Sequence, residues 1–120
     1  MLGIRSDVME ARWYELGTFS PINRLHSTKM SFSGKEPWNY PEPYCSDMET
    51  ILRFRHALIP YMYTLNYRCH CEHIPVIIPM YYYYPFEEKA YSYKNQYFLG
   101  SEMLVCPVTT KIDEDSQKRR

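Results

Sequence analysis

Arg12-Trp13-Tyr14-Glu15-Leu16-Gly17-Thr18-Phe19-Ser20-Pro21-Ile22-Asn23-Arg24-Leu25-His26-Ser27 is the stretch that decides the fold. It reads as the end of a helix, a turn, and a short buried strand that carries Arg24 and His26 to its C-terminal end. Helices that feed strands with polar tips are how α/β barrels and open α/β sheets build their sites. Upstream, Ser6-Asp7-Val8-Met9-Glu10 has the marks of a helix start, with Asp7 and Glu10 at capping-box spacing and negative charge in the first turn. Met9, Trp13 and Leu16 recur at i, i+4 and i+7, which puts them on one apolar helical face. Gly17 then stands where a left-handed C-terminal cap belongs. Phe19 to Leu25 alternates apolar residues, but Pro21 removes a ladder donor and makes it a poor central strand by itself.

Downstream, residues 28–45 hold Gly34, Pro37, Pro41 and Pro43 among Trp38, Tyr40 and Tyr44, a long loop with its own aromatic anchors. Ser46-Asp47-Met48-Glu49 has capping-box spacing. From there Ile51, Phe54, Leu58, Met62, Leu65 and Cys69 recur at three- and four-residue steps, an amphipathic helix of about seven turns. Pro60 falls inside it and predicts a kink. The helix is expected to end near Glu72, with His73 in the left-handed position that Gly usually fills. After Pro75 the period changes. Val76–Ile78, Met80–Tyr84, Gln96–Leu99 and Met103–Val108 are short β-rich runs separated by Pro85, Gly100 and polar turns. The expectation is an α/β part over residues 1–75 and an antiparallel β part over residues 76–120.

Within 120 residues, 14 Lys and Arg balance 14 Asp and Glu, which leaves no electrostatic case for nucleic acid or an anionic membrane as main partner. No stretch approaches the roughly 18 apolar residues of a membrane helix. Thirteen tyrosines in a chain that is 17% aromatic suit a carbohydrate surface, or equally a large core with polar handles. Four cysteines (Cys45, Cys69, Cys71, Cys106) give no disulfide framework and are taken as reduced thiols. The start, Met1-Leu2-Gly3-Ile4-Arg5, lacks the regions of a secretory signal. A cytoplasmic setting is the expectation, unless a longer parent carries a signal elsewhere.

His26 at a strand tip is the first candidate for chemistry, because ligands of parallel α/β sheets bind there. A neutral imidazole can hydrogen-bond a substrate hydroxyl, or simply a neighbouring loop carbonyl; both readings stand. Arg24, two residues earlier, shares its strand face and calls for a partner, most simply a carboxylate. Cys69-His70-Cys71-Glu72-His73 invites a metal, but on a helix Cys69 and Cys71 point about 200° apart and cannot converge on one ion. Paired carboxylates are hard to find: Asp7, Glu10, Asp47 and Glu49 are helix-start residues, and only Glu36 and Glu42 in the long loop are suitably placed. Nucleophile elbow, phosphate loop and dinucleotide fingerprint are all missing. No metal and no cofactor are called for.

Taken together, five motifs in order resemble glycoside hydrolase family 31, which contains α-glucosidases and α-xylosidases. They are Arg12-Trp13 through Ser27; Lys35-Glu36-Pro37-Trp38; Leu52-Arg53-Phe54-Arg55-His56 with Ile59-Pro60-Tyr61-Met62-Tyr63; Asn95-Gln96-Tyr97-Phe98-Leu99-Gly100; and Leu104-Val105-Cys106-Pro107-Val108. The resemblance implies a partial (β/α)8 TIM barrel followed by the start of an antiparallel β-sandwich. The opening helix would be the barrel's seventh, Phe19–Leu25 its eighth strand, and the kinked helix its closure. Family members cleave α-glycosidic bonds with retention using two aspartates, and both would lie upstream of Met1. That accounts for the missing carboxylate pair, so no catalytic residue is assigned here. His26 matches the family histidine that contacts hydroxyls of the non-reducing-end sugar, Arg24 an arginine supporting that subsite, and Met1 a wall residue of it. Ile78, where members commonly carry Arg, and His73, where they carry Gly, depart from the pattern.

These resemblances imply a segment of a retaining α-glycosidase acting on an α-linked oligosaccharide or α-glycoside, inactive without the remainder of its parent chain. The rival is a non-catalytic carbohydrate-binding or interaction module that uses Tyr81–Tyr84 and the Trp38 loop.

Overall fold

The computed structural model describes residues 6–26 and 34–109. Helix α1 spans Asp7–Thr18, and Ser6 rather than Asp7 is its N-cap, its hydroxyl accepting the Met9 N–H at 3.4 Å. The inward stripe is Ala11, Tyr14 and Thr18, not the expected Met9, Trp13 and Leu16; Trp13 is 60% exposed. Tyr14 meets Tyr40 and Met48 in a small core that Ala11, Tyr44, Ile51 and Leu52 flank. Gly17 does not end the helix in a left-handed cap, since α1 continues through Thr18. It permits close approach instead: a Cβ at Gly17 would lie 2.7 Å from Asn23 Oδ1.

Phe19–Leu25 forms no strand, which corrects the sequence expectation. A strand needs a ladder partner, and here side chains take that place. Arg55 and Tyr97 donate to the carbonyls of five successive residues, Gly17 through Pro21. Backbone acceptors satisfied in this way have no need of a neighbouring strand.

Helices α2 (Tyr44–Ala57) and α3 (Ile59–Glu72) replace the single kinked helix. They share Leu58 as cap, whose carbonyl accepts the Met62 N–H at 2.9 Å. Pro60, in the first turn of α3, lacks only an N–H that a new helix leaves unpaired anyway. The Ser46 capping box is not made, because α2 begins earlier, at Tyr44. Glu42 performs the capping instead, accepting from the Ser46 hydroxyl at 2.6 Å and from the Ser46 N–H at 3.3 Å. His73 closes α3 in the left-handed region (φ 58°), as expected.

Strands β1 (Ile77–Pro79), β2 (Tyr97–Leu99) and β3 (Met103–Val105) form an antiparallel sheet in that order, with Ile77 opposite Leu99 and Tyr97 opposite Val105. Met80–Tyr84 is not a strand: Met80–Tyr83 is a one-turn helix, α4, followed by α5 (Glu88–Ser92). Its tyrosines find rings to pack on, Tyr81 stacking on Tyr91 and Tyr83 meeting Phe98 edge-on. One apolar core joins the parts: Leu58, Met62 and Leu65 of the α2–α3 arm pack on Val76, Leu99 and Val105.

Candidate functional site

The site is built around residues 19–26, where the chain leaves α1. Arg55 Nη1 lies 3.0, 2.6 and 2.7 Å from the carbonyl oxygens of Gly17, Thr18 and Ser20, and Nη2 lies 3.3 Å from that of Pro21. The Tyr97 hydroxyl donates to the Phe19 carbonyl at 3.3 Å. Five residues past Pro21, His26 is reached.

Arg24 Nη2 stands 3.3 Å from His26 Nδ1, so the structure brings these two candidates together. The expected carboxylate partner of Arg24 is replaced by an imidazole. Both side chains are exposed, so the arginine charge needs no ion pair to offset burial. An arginine N–H can only donate, so in this contact Nδ1 is the accepting atom. Met1, the third candidate, lies outside the described residues.

Arg24 and His26 border a cavity of about 410 Å³ whose wall includes Trp13, Tyr14, Asn23, Glu10 and Lys35. Glu10 pairs with Lys35 across the cavity edge, and the Tyr14 hydroxyl donates to the Lys35 carbonyl. Burial above all, and then Tyr40, Glu36 and Glu10 nearby, push the Tyr14 hydroxyl pKa well above its ordinary value. Among the described residues Glu10 is the one carboxylate on this wall, and Lys35 engages it. Retaining glycoside cleavage needs two carboxylates about 5–5.5 Å apart. The cavity offers donors for hydroxyl groups and an aromatic wall, which is the equipment for binding a neutral polyol.

Two residues that hold this segment, Arg55 and Tyr97, stand in the motifs quoted above, but the sequence reading gives neither a role. Arg55 left one signal: a charge between Ile51 and Leu58 on the apolar stripe of α2. Tyr97 had only its place in the Asn95–Gly100 motif to set it apart among thirteen tyrosines. In the Cys69–His73 stretch, Cys69 packs against the core, Cys71 is exposed and His73 is a cap. Among the described residues no group of three His, Cys, Asp or Glu side chains is placed to hold a metal.

Residues 5–65 match the model of the glycosyl hydrolases family 31 TIM-barrel domain, and residues 73–120 match that of the family's C-terminal domain. The chain belongs to glycosyl hydrolase family 31. Across 98 residues this family 31 chain is 39% identical to neutral alpha-glucosidase C of Mus musculus, covering 82% of this chain and 11% of that protein. It is 37% identical over 99 residues to glucosidase 2 subunit alpha of Schizosaccharomyces pombe, with the same coverage of 82% and 11%. The family 31 alpha-xylosidase of Xanthomonas citri superposes with a TM-score of 0.73 at 32% identity, over 83% of this chain and 11% of that one. The family 31 chain therefore spans 11% of the length of these relatives.

Proposed function

We propose that this chain is a segment of a retaining, α-glucosidase-like glycosidase that hydrolyses terminal α-linked sugars, and that its residues 19–26 bind the sugar. The observation that carries this is the Arg24–His26 pair, 3.3 Å apart on a cavity where, among the described residues, the one carboxylate is already engaged by Lys35. His26 presents Nε2–H to a sugar hydroxyl, and Arg24 holds the ring in that tautomer through Nδ1. Met1 would add to the wall of the same subsite. The two acids of the reaction then stand on the remainder of the parent chain, which is this segment's necessary partner. Residues 1–75 would belong to the catalytic barrel and 76–120 to the start of the β-sandwich.

The test is His26→Ala in the glycosidase that carries this segment, assayed on an aryl α-glucoside and an aryl α-xyloside. Loss of a hydrogen bond to a neutral hydroxyl should lower kcat/KM by about tenfold. An unchanged kcat/KM takes His26 out of the subsite.

A second reading has its own observation. Tyr81 and Tyr91, each about half exposed, stack 5.7 Å apart at 12°, a flat face of the kind that sugars lie on. Glycan binding by the 120-residue chain that Tyr91→Ala abolishes and His26→Ala spares would favour the non-catalytic binding module.

A further inference from the structure

We propose that Arg55 is a positioning residue of the sugar site, its guanidinium setting the path of residues 19–26 and hence the placement of Arg24 and His26. This rests on the reading of His26 as a sugar contact. Arg55 does not itself line the cavity; it bonds the carbonyls of Gly17 and Ser20, which do, and acts through the backbone that it gathers.

The local chemistry asks for a cation at this point. α1 ends with no basic residue in its last turn, so nothing on the helix itself meets the negative end of its dipole. Arg55 supplies that charge from α2, with Nη1 within 3.0 Å of the carbonyls of Gly17, Thr18 and Ser20. Nη1 has two hydrogens for three acceptors, so one bond is shared, and Nη2 reaches on to Pro21 at 3.3 Å. The group thus spans the last turn of the helix and the first residues beyond it. A lysine presents its donors from one point and forgoes the Pro21 bond that Nη2 makes from the other arm of the fork.

What Arg55 holds is otherwise irregular chain. Residues 19–26 have no strand ladder; Phe19 and Ser20 are also held by bonds to Leu16 and Gly17, by the Phe54 ring and by Tyr97, while beyond Pro21 the chain is fastened by the fit of Asn23 over Gly17. Arg55 is itself fixed, because Met48 on the same helix is fully buried against Tyr14 of α1. A rigid donor on a packed helix, bonded to successive carbonyls of an unladdered segment, is how a scaffold places a ligand-contacting loop.

The experiment is a double-mutant cycle in the α-glycosidase that carries this segment, with Arg55→Lys, His26→Ala and the pair combined, and kcat and KM read separately. Because small misplacements of binding groups are costly, Arg55→Lys should raise KM about tenfold with a near-native Tm. In the His26→Ala background the same change should add less than about twofold, since the contact it positions is already gone. An equal effect in both backgrounds, or an unchanged KM, overturns the proposal while leaving His26 in the site. If His26→Ala alone leaves kcat/KM intact, the subsite reading fails and takes this proposal with it. Should Arg55→Lys not fold, Tyr97→Phe loosens the same segment by one carbonyl and is read in the same two backgrounds. A KM effect there confined to intact His26 supports the positioning role; no effect, or an additive one, refutes it.

Discussion

Gly100 sits at φ +64° in the turn between β2 and β3, pressed against α3. A Cβ there would come 2.3 Å from Leu65 Cδ2 and 2.6 Å from the Tyr61 hydroxyl oxygen. Tyr61 has little room to retreat, because its hydroxyl donates to the Leu99 carbonyl at 2.7 Å and accepts the Glu102 N–H at 3.2 Å. Gly100→Ala combines left-handed strain with overpacking and should cost about 2–4 kcal/mol. The outcome to look for is a clear fall in Tm of the protein carrying this segment; an unchanged Tm would mean that the helix–sheet contact is not this tight. Gly100 was legible as a turn because it separates two apolar runs. Gly17 was misread for a physical reason: its neighbours in sequence imitate a helix cap, while its true constraint, Asn23, depends on how the next residues fold back.

Tyr14 fastens α1 to Lys35 through its hydroxyl on the Lys35 carbonyl, and the Glu10–Lys35 pair reinforces the strap. Burial raises the Tyr14 pKa above its ordinary 10.0, and burial raises that of Tyr97 likewise. The folded chain therefore keeps protons that the unfolded chain releases. The stability these hydroxyls contribute is complete below pH 10.0 and is lost as pH rises beyond it. Tm should stay level up to about pH 10 and fall above it, and Tyr14→Phe should flatten that fall. A fall just as steep in Tyr14→Phe would move the effect to other tyrosines. The helices themselves were readable from spacing: Ile51 to Cys69 repeats as a helix should. The break at Leu58 was not, because the apolar period runs through it unchanged. Nor could local alternation in Phe19–Leu25 reveal that Arg55, 34 to 38 residues away, would satisfy the carbonyls in place of a strand. In Met80–Tyr83 the β-preference of tyrosine lost to ring packing with Tyr91 and Phe98.

Among the described residues, eleven hydrophobic side chains are buried and nineteen large ones are exposed, so large apolar side chains outside the chain's two cores outnumber the buried ones. The exposure is grouped. Met9 and Trp13 lie along α1, Ile22 and Leu25 lie in the site segment, and Tyr81 to Tyr84 with Phe86 and Tyr91 lie beside the sheet. A cavity of about 540 Å³ opens between α1 and β3, floored by Leu16, Phe19, Ile51, Met103 and Val105. β1 and β3 are the sheet's outer strands, with unpaired backbone on their far sides among the described residues. Apolar patches and free strand edges of this kind associate in water unless something covers them. The sequence already pointed here: Met9, Trp13 and Leu16 form a true helical stripe, but one that this chain turns away from its own core. Prepared by itself, the 120-residue chain should sediment as concentration-dependent oligomers, brighten a hydrophobic dye and turn over no aryl α-glucoside. In a protein where other polypeptide covers α1 and the β3 edge, the same surfaces should be dry and the association absent. A monomer that melts cooperatively would show that these faces tolerate water, and turnover by it would move the catalytic acids onto this segment.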